Sequence, residues 1–152
     1  MGAPSRLLAD AVSSKLVLHS LQTYGLEGNV PDLKGHVVLM DFWASWCGPC
    51  AQSFPSLEAI HREFRDRGVI VLGVNVDEER ELMDRFLEKH AVTFPVVRDA
   101  SQKLVAEVNA EAMPTSLLID ASGRIRFRHS GFHGEKTVEA LRAQLNSLLG
   151  AP

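Results

Sequence analysis

The stretch "VVLMDFWASWCGPC", Val37 to Cys50, joins an apolar, β-prone run to a tight turn that holds both cysteines of the chain. Val37 to Trp43 reads as a buried central strand, because parallel strands covered on both faces are continuously apolar. Pro49 falls in what would be the first turn of a helix, where its missing N–H costs nothing. Phe54, Leu57, Ile60 and Phe64 then recur at helical spacing, which predicts a helix from about Gly48 to Arg65, kinked at Pro55. The two thiols therefore belong to a strand-to-helix junction.

Working outward, Gly68 stops that helix and "VIVLGVNV", Val69 to Val76, reads as a second buried strand. "DEERELMDRFLEKH" leads with acids, carries Leu82, Met83, Phe86 and Leu87 on one face, and closes on Lys89-His90, a charge order that suits a helix dipole. A short strand is expected at Phe94 to Val97 and a small helix from Ser101 to about Val108. Thr115 to Ile119 and Ile125 to His129, joined by "DASGR", predict a hairpin. Val138, Leu141, Leu145, Leu148 and Leu149 mark a closing amphipathic helix. Upstream, Leu16 to Leu21 and Asn29 to Leu33 suggest an N-terminal β-hairpin. Alternating strands and helices followed by a hairpin give an α/β fold with a mixed sheet flanked by helices.

A chain of 152 residues fits one domain and can bury roughly 70% of its extended surface. One unit over 1–152 is expected, with a lead-in over 1–14, the hairpin over 15–33 and a core over 34–149. A formal net charge of −3 gives no reason to expect a nucleic-acid partner. There is no run of 18 apolar residues, the length a membrane span needs. The opening "MGAPSRLLADAVSSK" makes no convincing signal peptide. Two placements stay open: the cytoplasm, or an extracytoplasmic compartment for a chain whose leader is absent from this sequence.

A Cys-x-x-Cys pair at a helix N-terminus has a specific chemistry. Backbone N–H groups and the macrodipole there favour the Cys47 thiolate, the species that attacks disulfides. Cys50, three residues on, is placed to resolve the mixed disulfide that forms. A structural staple closing so small a loop would remove little chain entropy. Zinc calls for four N or S ligands, and none of the six histidines has the spacing to complete a site with this pair. The pair reads as a redox dithiol that needs no cofactor or metal.

"WASWCGPC" after "VLMDF" closely resembles the thioredoxin family. The resemblance runs from about Lys34 to Leu149 and implies the thioredoxin fold. Pro55 matches the proline of the family's active-site helix, and "MPT", Met113 to Thr115, matches its cis-proline segment. The resemblance thus implies a cis bond at Pro114, facing the cysteines, and substrate pairing along the backbone of Met113. Trp46, Gly48 and Pro49 complete the implied substrate surface. The long link from Asp77 to Met113, with a helix–strand insertion at about 78–98, looks like the TlpA/ResA-like extracytoplasmic thioredoxins. So do the N-terminal hairpin and "PTSLLIDASGRI". That likeness implies a monomeric reductant for disulfide-bearing clients, apocytochrome c or its maturation factors among them, supplied with electrons by another protein. Ala112-Met113-Pro114-Thr115 departs from the Ala-Pro-Glu-Thr common in cytochrome-maturation reductases, which weakens a dedicated cytochrome role. A thiol oxidase or isomerase on the same scaffold and a non-catalytic adaptor are the competing readings.

Two acids are candidates for proton transfer. Asp41 lies in the middle of an apolar strand, where ionisation is costly and a raised pKa is expected. It also matches the buried acid of thioredoxin, which implies that it takes the proton of Cys50; the alternative is a carboxyl solvated at the sheet edge. Glu78 matches an acid that ResA-like proteins place near their cysteines, although Asp77, Glu78 and Glu79 also read as first-turn helix acids. His129 and His133 are expected at the surface.

Overall fold

The structure is a computed structural model that describes residues 21–150. Five strands form one sheet in the order β3-β2-β1-β4-β5: β1 Val37–Trp43, β2 Val69–Asn75, β3 Val96–Arg98, β4 Thr115–Ile119 and β5 Ile125–Ser130. β1, β2 and β3 run parallel, whereas β4 is antiparallel to both β1 and β5. Four α-helices connect and cover them: α1 Gly48–Phe64, α2 Arg80–Lys89, α3 Lys103–Glu107 and α4 Glu135–Leu148. This is a thioredoxin-like arrangement, with the mixed sheet the sequence predicts.

β1 is the central strand, and all seven of its residues are buried. Its side chains alternate between two cores, as strand geometry requires. Val37, Leu39 and Trp43 face α1, α2 and α4, among them Phe54, Leu57, Ile60, Phe86, Leu141 and Leu145. Val38, Met40 and Phe42 face α3 and the segment before β1, through Leu104, Val108, Leu21 and Leu33. Sandwiched on both faces, β1 has no solvated side, hence its lack of polar alternation.

The expected N-terminal β-hairpin is corrected. Residues 16–20 of its first arm lie outside the described residues; Leu21–Tyr24 is a 3-10 turn. Asn29–Leu33 carries no strand. Pro31 has no N–H to give a ladder, and Leu21 and Leu33 are used as plugs in the second core instead. One antiparallel bridge replaces the hairpin, with Glu27 and Arg98 exchanging both backbone hydrogen bonds at 2.9 Å along β3. Gly28 has φ +113° where the chain crosses β3, and a Cβ there would come within 3.3 Å of the Val96 carbonyl oxygen.

Candidate functional site

Cys47 is the N-cap of α1, in an extended conformation, and Pro49 lies in the helix's first turn. The Cys50 N–H donates to the Cys47 sulfur at 3.2 Å. The two residues form a disulfide with Cα atoms 5.3 Å apart. Cys50 is fully buried, whereas Cys47 lies just under the surface between the exposed Trp46, Gly48 and Pro49. Helix geometry explains this asymmetry. The N-cap opens outward, and three residues on the chain has turned inward onto the sheet.

Asp41 projects from β1 on the face that carries Leu39 and Trp43, the one against which Cys50 packs. It is 1% exposed. Its Oδ1 accepts a hydrogen bond from the Ser116 hydroxyl of β4 at 2.9 Å, while Oδ2 has no partner. Burial pushes the carboxyl from 3.8 up to about 7, against the weaker opposing effect of the Ser116 bond. The alternative of a carboxyl solvated at the sheet edge does not hold, since β1 is the middle strand.

Met113-Pro114 is a cis peptide bond. Thr115, the next residue, pairs with Phe42 near the end of β1, so the cis-proline lies beside the strand end that leads to Cys47. The Pro114 carbonyl accepts from Gly131 N–H at 2.7 Å. Among the described residues, the Met113 N–H and C=O have no hydrogen-bond partner, which leaves backbone groups open to pairing beside the site.

Glu78 does not join this group. Its side chain is exposed in the β2–α2 loop, outside the residues lining the cleft beside Cys47, and its backbone carbonyl accepts from Arg98 at 3.1 Å. The neighbouring Asp77 is the acid that sequence reasoning passed over as a helix-start residue. It is 1% exposed, three residues before α2 begins. Its carboxylate accepts from the Ser45 N–H at 3.1 and 3.2 Å, from the Ser45 hydroxyl at 2.9 Å and from Asn75 Nδ2 at 2.8 Å. Asp77 thereby clamps the loop two residues ahead of Cys47. Its only sequence signal was the i, i+2 spacing from Asn75. His129 is bonded through Nε2 to Gln144 at 2.7 Å, and the His133 backbone N–H donates to the Thr137 hydroxyl at 2.9 Å. No cluster of three or more potential metal ligands occurs among the described residues.

With this geometry in view, the Redoxin family profile matches residues 9–145. The chain belongs to the redoxin family. It is 31% identical over 126 residues to thiol-disulfide oxidoreductase ResA of Bacillus thuringiensis (strain Al Hakam), covering 81% of this chain and 71% of that one. Among solved structures it is similar to a Chlorobium tepidum protein assigned as thiol:disulfide interchange protein DsbE, with 36% identity and a TM-score of 0.78 over 82% of this chain and 92% of that one. StoA from Bacillus subtilis matches at 27% identity and a TM-score of 0.64, over 72% and 82% of the two chains. Thiol–disulfide oxidoreductase chemistry is thus the activity of this redoxin, and the close Cys47–Cys50 pair fits the dithiol that such chemistry uses. No described helix is long and apolar enough to cross a membrane.

Proposed function

We propose that this redoxin works as a reductant of disulfides in partner proteins, with Cys47 as nucleophile and Cys50 as resolving thiol. The observation that carries this reading is the placement of the pair, a surface-facing sulfur at the N-cap of α1 and a fully buried one a turn further on. In the reduced protein the Cys47 thiolate attacks a client disulfide. A bond forms between Cys47 and one client sulfur, the client S–S bond breaks, and the departing client thiolate takes a proton from solvent. Cys50 then gives its proton to the Asp41 carboxylate and attacks Cys47. The intramolecular disulfide forms as the Cys47–client S–S bond breaks. The second client sulfur leaves as a thiolate that takes a proton from solvent, the proton on Asp41 later returning to solvent. Two electrons pass from the dithiol to the client, and a second thiol protein must return them.

Asp41 is preferred to Glu78 as the proton acceptor because it lies on the sheet face against which Cys50 packs and has a pKa close to neutrality. Trp46, Gly48, Pro49, Met113 and Pro114 form the client surface, with the free Met113 backbone pairing to an extended client segment. Clients are disulfide-bearing proteins, with the haem-attachment cysteines of apocytochrome c among those the TlpA/ResA-like resemblance implies. An extracytoplasmic placement rests on the same resemblance.

The test is the reduction potential of the Cys47–Cys50 pair, measured by equilibration in dithiothreitol buffers and alkylation of free thiols. A value near roughly −250 mV or below is expected of a reductant, and one of about −120 to −180 mV would make the protein an oxidase or isomerase. Cys47→Ser should abolish turnover, whereas Cys50→Ser should accumulate client mixed disulfides. Binding of clients that survives loss of both cysteines, without turnover in the unaltered protein, would support an adaptor instead.

A further inference from the structure

Beside Cys47 lies a cleft of about 380 Å³ whose floor and near wall come from Ser45 to Ala51 and whose far wall is α2. Leu82, Arg85, Phe86 and Lys89 of α2 line it, and their i, i+3 and i+4 spacing puts them on one helix face. Phe86 is buried and anchors that face, packing tilted against Trp43 and edge-to-face on Phe54 with ring centroids 4.7 and 5.1 Å apart. The remaining three point outward. Trp46 and Leu82, 72% and 39% exposed, are the large hydrophobic side chains left to solvent among the described residues, and both line this cleft.

Its charge is one-sided. Arg85 and Lys89 are exposed, and among the described residues neither makes an ion pair or hydrogen bond. The acids of the same helix, Glu81, Asp84 and Glu88, do not line the cleft, and no other carboxylate does. A protein with a formal net charge of −3 thus presents its attacking sulfur next to a wall carrying two unpaired cations and two exposed apolar side chains.

We propose that the α2 face is a selectivity surface for the client polypeptide: it takes a segment in which an apolar residue and acidic residues neighbour the disulfide under attack. The apolar residue lies between Trp46 and Leu82, and the acids meet Arg85 and Lys89. The occupant is set by charge complementarity, since a basic segment would meet two cations with no compensating acid, a juxtaposition that suppresses wrong partners. This deepens the proposed function and rests on Cys47 being the attacking sulfur.

Two disulfide-linked peptides test it, identical except for two glutamates or two lysines beside a leucine next to one half-cystine. The second-order rate of oxidation of the reduced protein by each is followed through tryptophan fluorescence, with neutral hydroxyethyl disulfide as a third oxidant. The ratio of the peptide rates is the readout, because any change in the intrinsic reactivity of Cys47 cancels in it. The glutamate peptide is expected to react about three- to ten-fold faster at low salt, with the ratio approaching unity at high salt. Arg85→Glu/Lys89→Glu should invert the preference. Lys34→Glu/Arg124→Glu makes the same change in net charge at the opposite end of β1, where Lys34 precedes Val37 and Arg124 lies in the turn after Ile119, and should keep it. Equal peptide rates in a protein that reduces hydroxyethyl disulfide would overturn the selectivity surface alone, as would inversion by the distant pair. A reduced protein that reacts with none of the three would overturn the oxidoreductase reading and this inference with it.

Discussion

A carboxyl at the centre of an apolar strand is held at Asp41 by a single hydrogen bond from Ser116, with its second oxygen unpartnered. Its folded-state pKa of about 7 lies above the ordinary 3.8. Between these values the folded protein keeps a proton that the unfolded chain has lost. Stability therefore falls as pH rises from about 4 to about 7, and the full penalty above that is on the order of 4 kcal/mol. Asp41→Asn removes the ionisation. The variant should be close to the parent at pH 4 and more stable at pH 8 by roughly 2 kcal/mol or more, allowing for an amide left partly unpaired. Urea denaturation at the two pH values checks this. A difference that does not change with pH would mean that Asp41 does not titrate in this range. The same substitution should slow release of client thiol from the Cys47 mixed disulfide without slowing its formation, since only resolution uses the Cys50 proton. Single-turnover quenching separates the two steps.

At the scale of elements, α2 is fastened to the active-site helix by aromatic packing. Phe86 contacts Trp43 of β1 and Phe54 of α1, and Phe54 also meets Phe94 at 5.5 Å. Phe86→Ala should cost about 3–5 kcal/mol in denaturant unfolding. It should also raise amide exchange along Arg80–Lys89 more than in β1, because the helix loses its anchor while the sheet keeps both cores. Uniform loosening of sheet and helix would show that Phe86 stabilises the whole rather than docking one element. Elements whose sequence carries their own period were legible beforehand: β1 by its apolar run, interrupted only at Asp41, α1 by Phe54, Leu57, Ile60 and Phe64. The hairpin of β4 and β5 was legible from its turn, although β5 runs one residue further, to Ser130. The failures were of another kind. Asn29–Leu33 has only Val30 and Leu33 as apolar residues, with Pro31 between them, and carries no strand, and Asp77 looks like any acid before a helix until folding brings Ser45 to it. The helix N-terminal placement of Cys47 and Cys50 and the burial of Asp41 could be read because each is local or depends only on strand burial. The cationic wall of the cleft could not, because Arg85 and Lys89 take their meaning from a loop nearly forty residues earlier.

For the molecule as a whole, Arg98 ties the parts that the site depends on. It is 8% exposed at the end of β3, the outer strand of the sheet. Its Nε donates to Glu27 at 2.9 Å and its Nη1 to the carbonyls of Asp77 and Glu78 at 2.9 and 3.1 Å, while its backbone pairs with Glu27. One guanidinium thus connects the segment before β1, the sheet edge and the loop whose Asp77 clamps Ser45. The edge strand would otherwise present unpaired backbone groups to other chains. Arg98→Ala leaves the Asp77 carbonyl buried without its donor and should destabilise the protein by about 2–3 kcal/mol. Arg98→Lys should recover less than half of that, because an ammonium cannot span the same fork of acceptors. The loop consequence distinguishes this from a simple loss of stability. With Asp77 released, the Ser45 N–H should exchange faster in Arg98→Ala at a denaturant-free pH where global unfolding is still rare. Hydrogen exchange resolved at Ala44 to Cys47 measures it. Unchanged protection there, alongside lowered global stability, would mean that Asp77 holds the cysteine loop independently of the Arg98 fork.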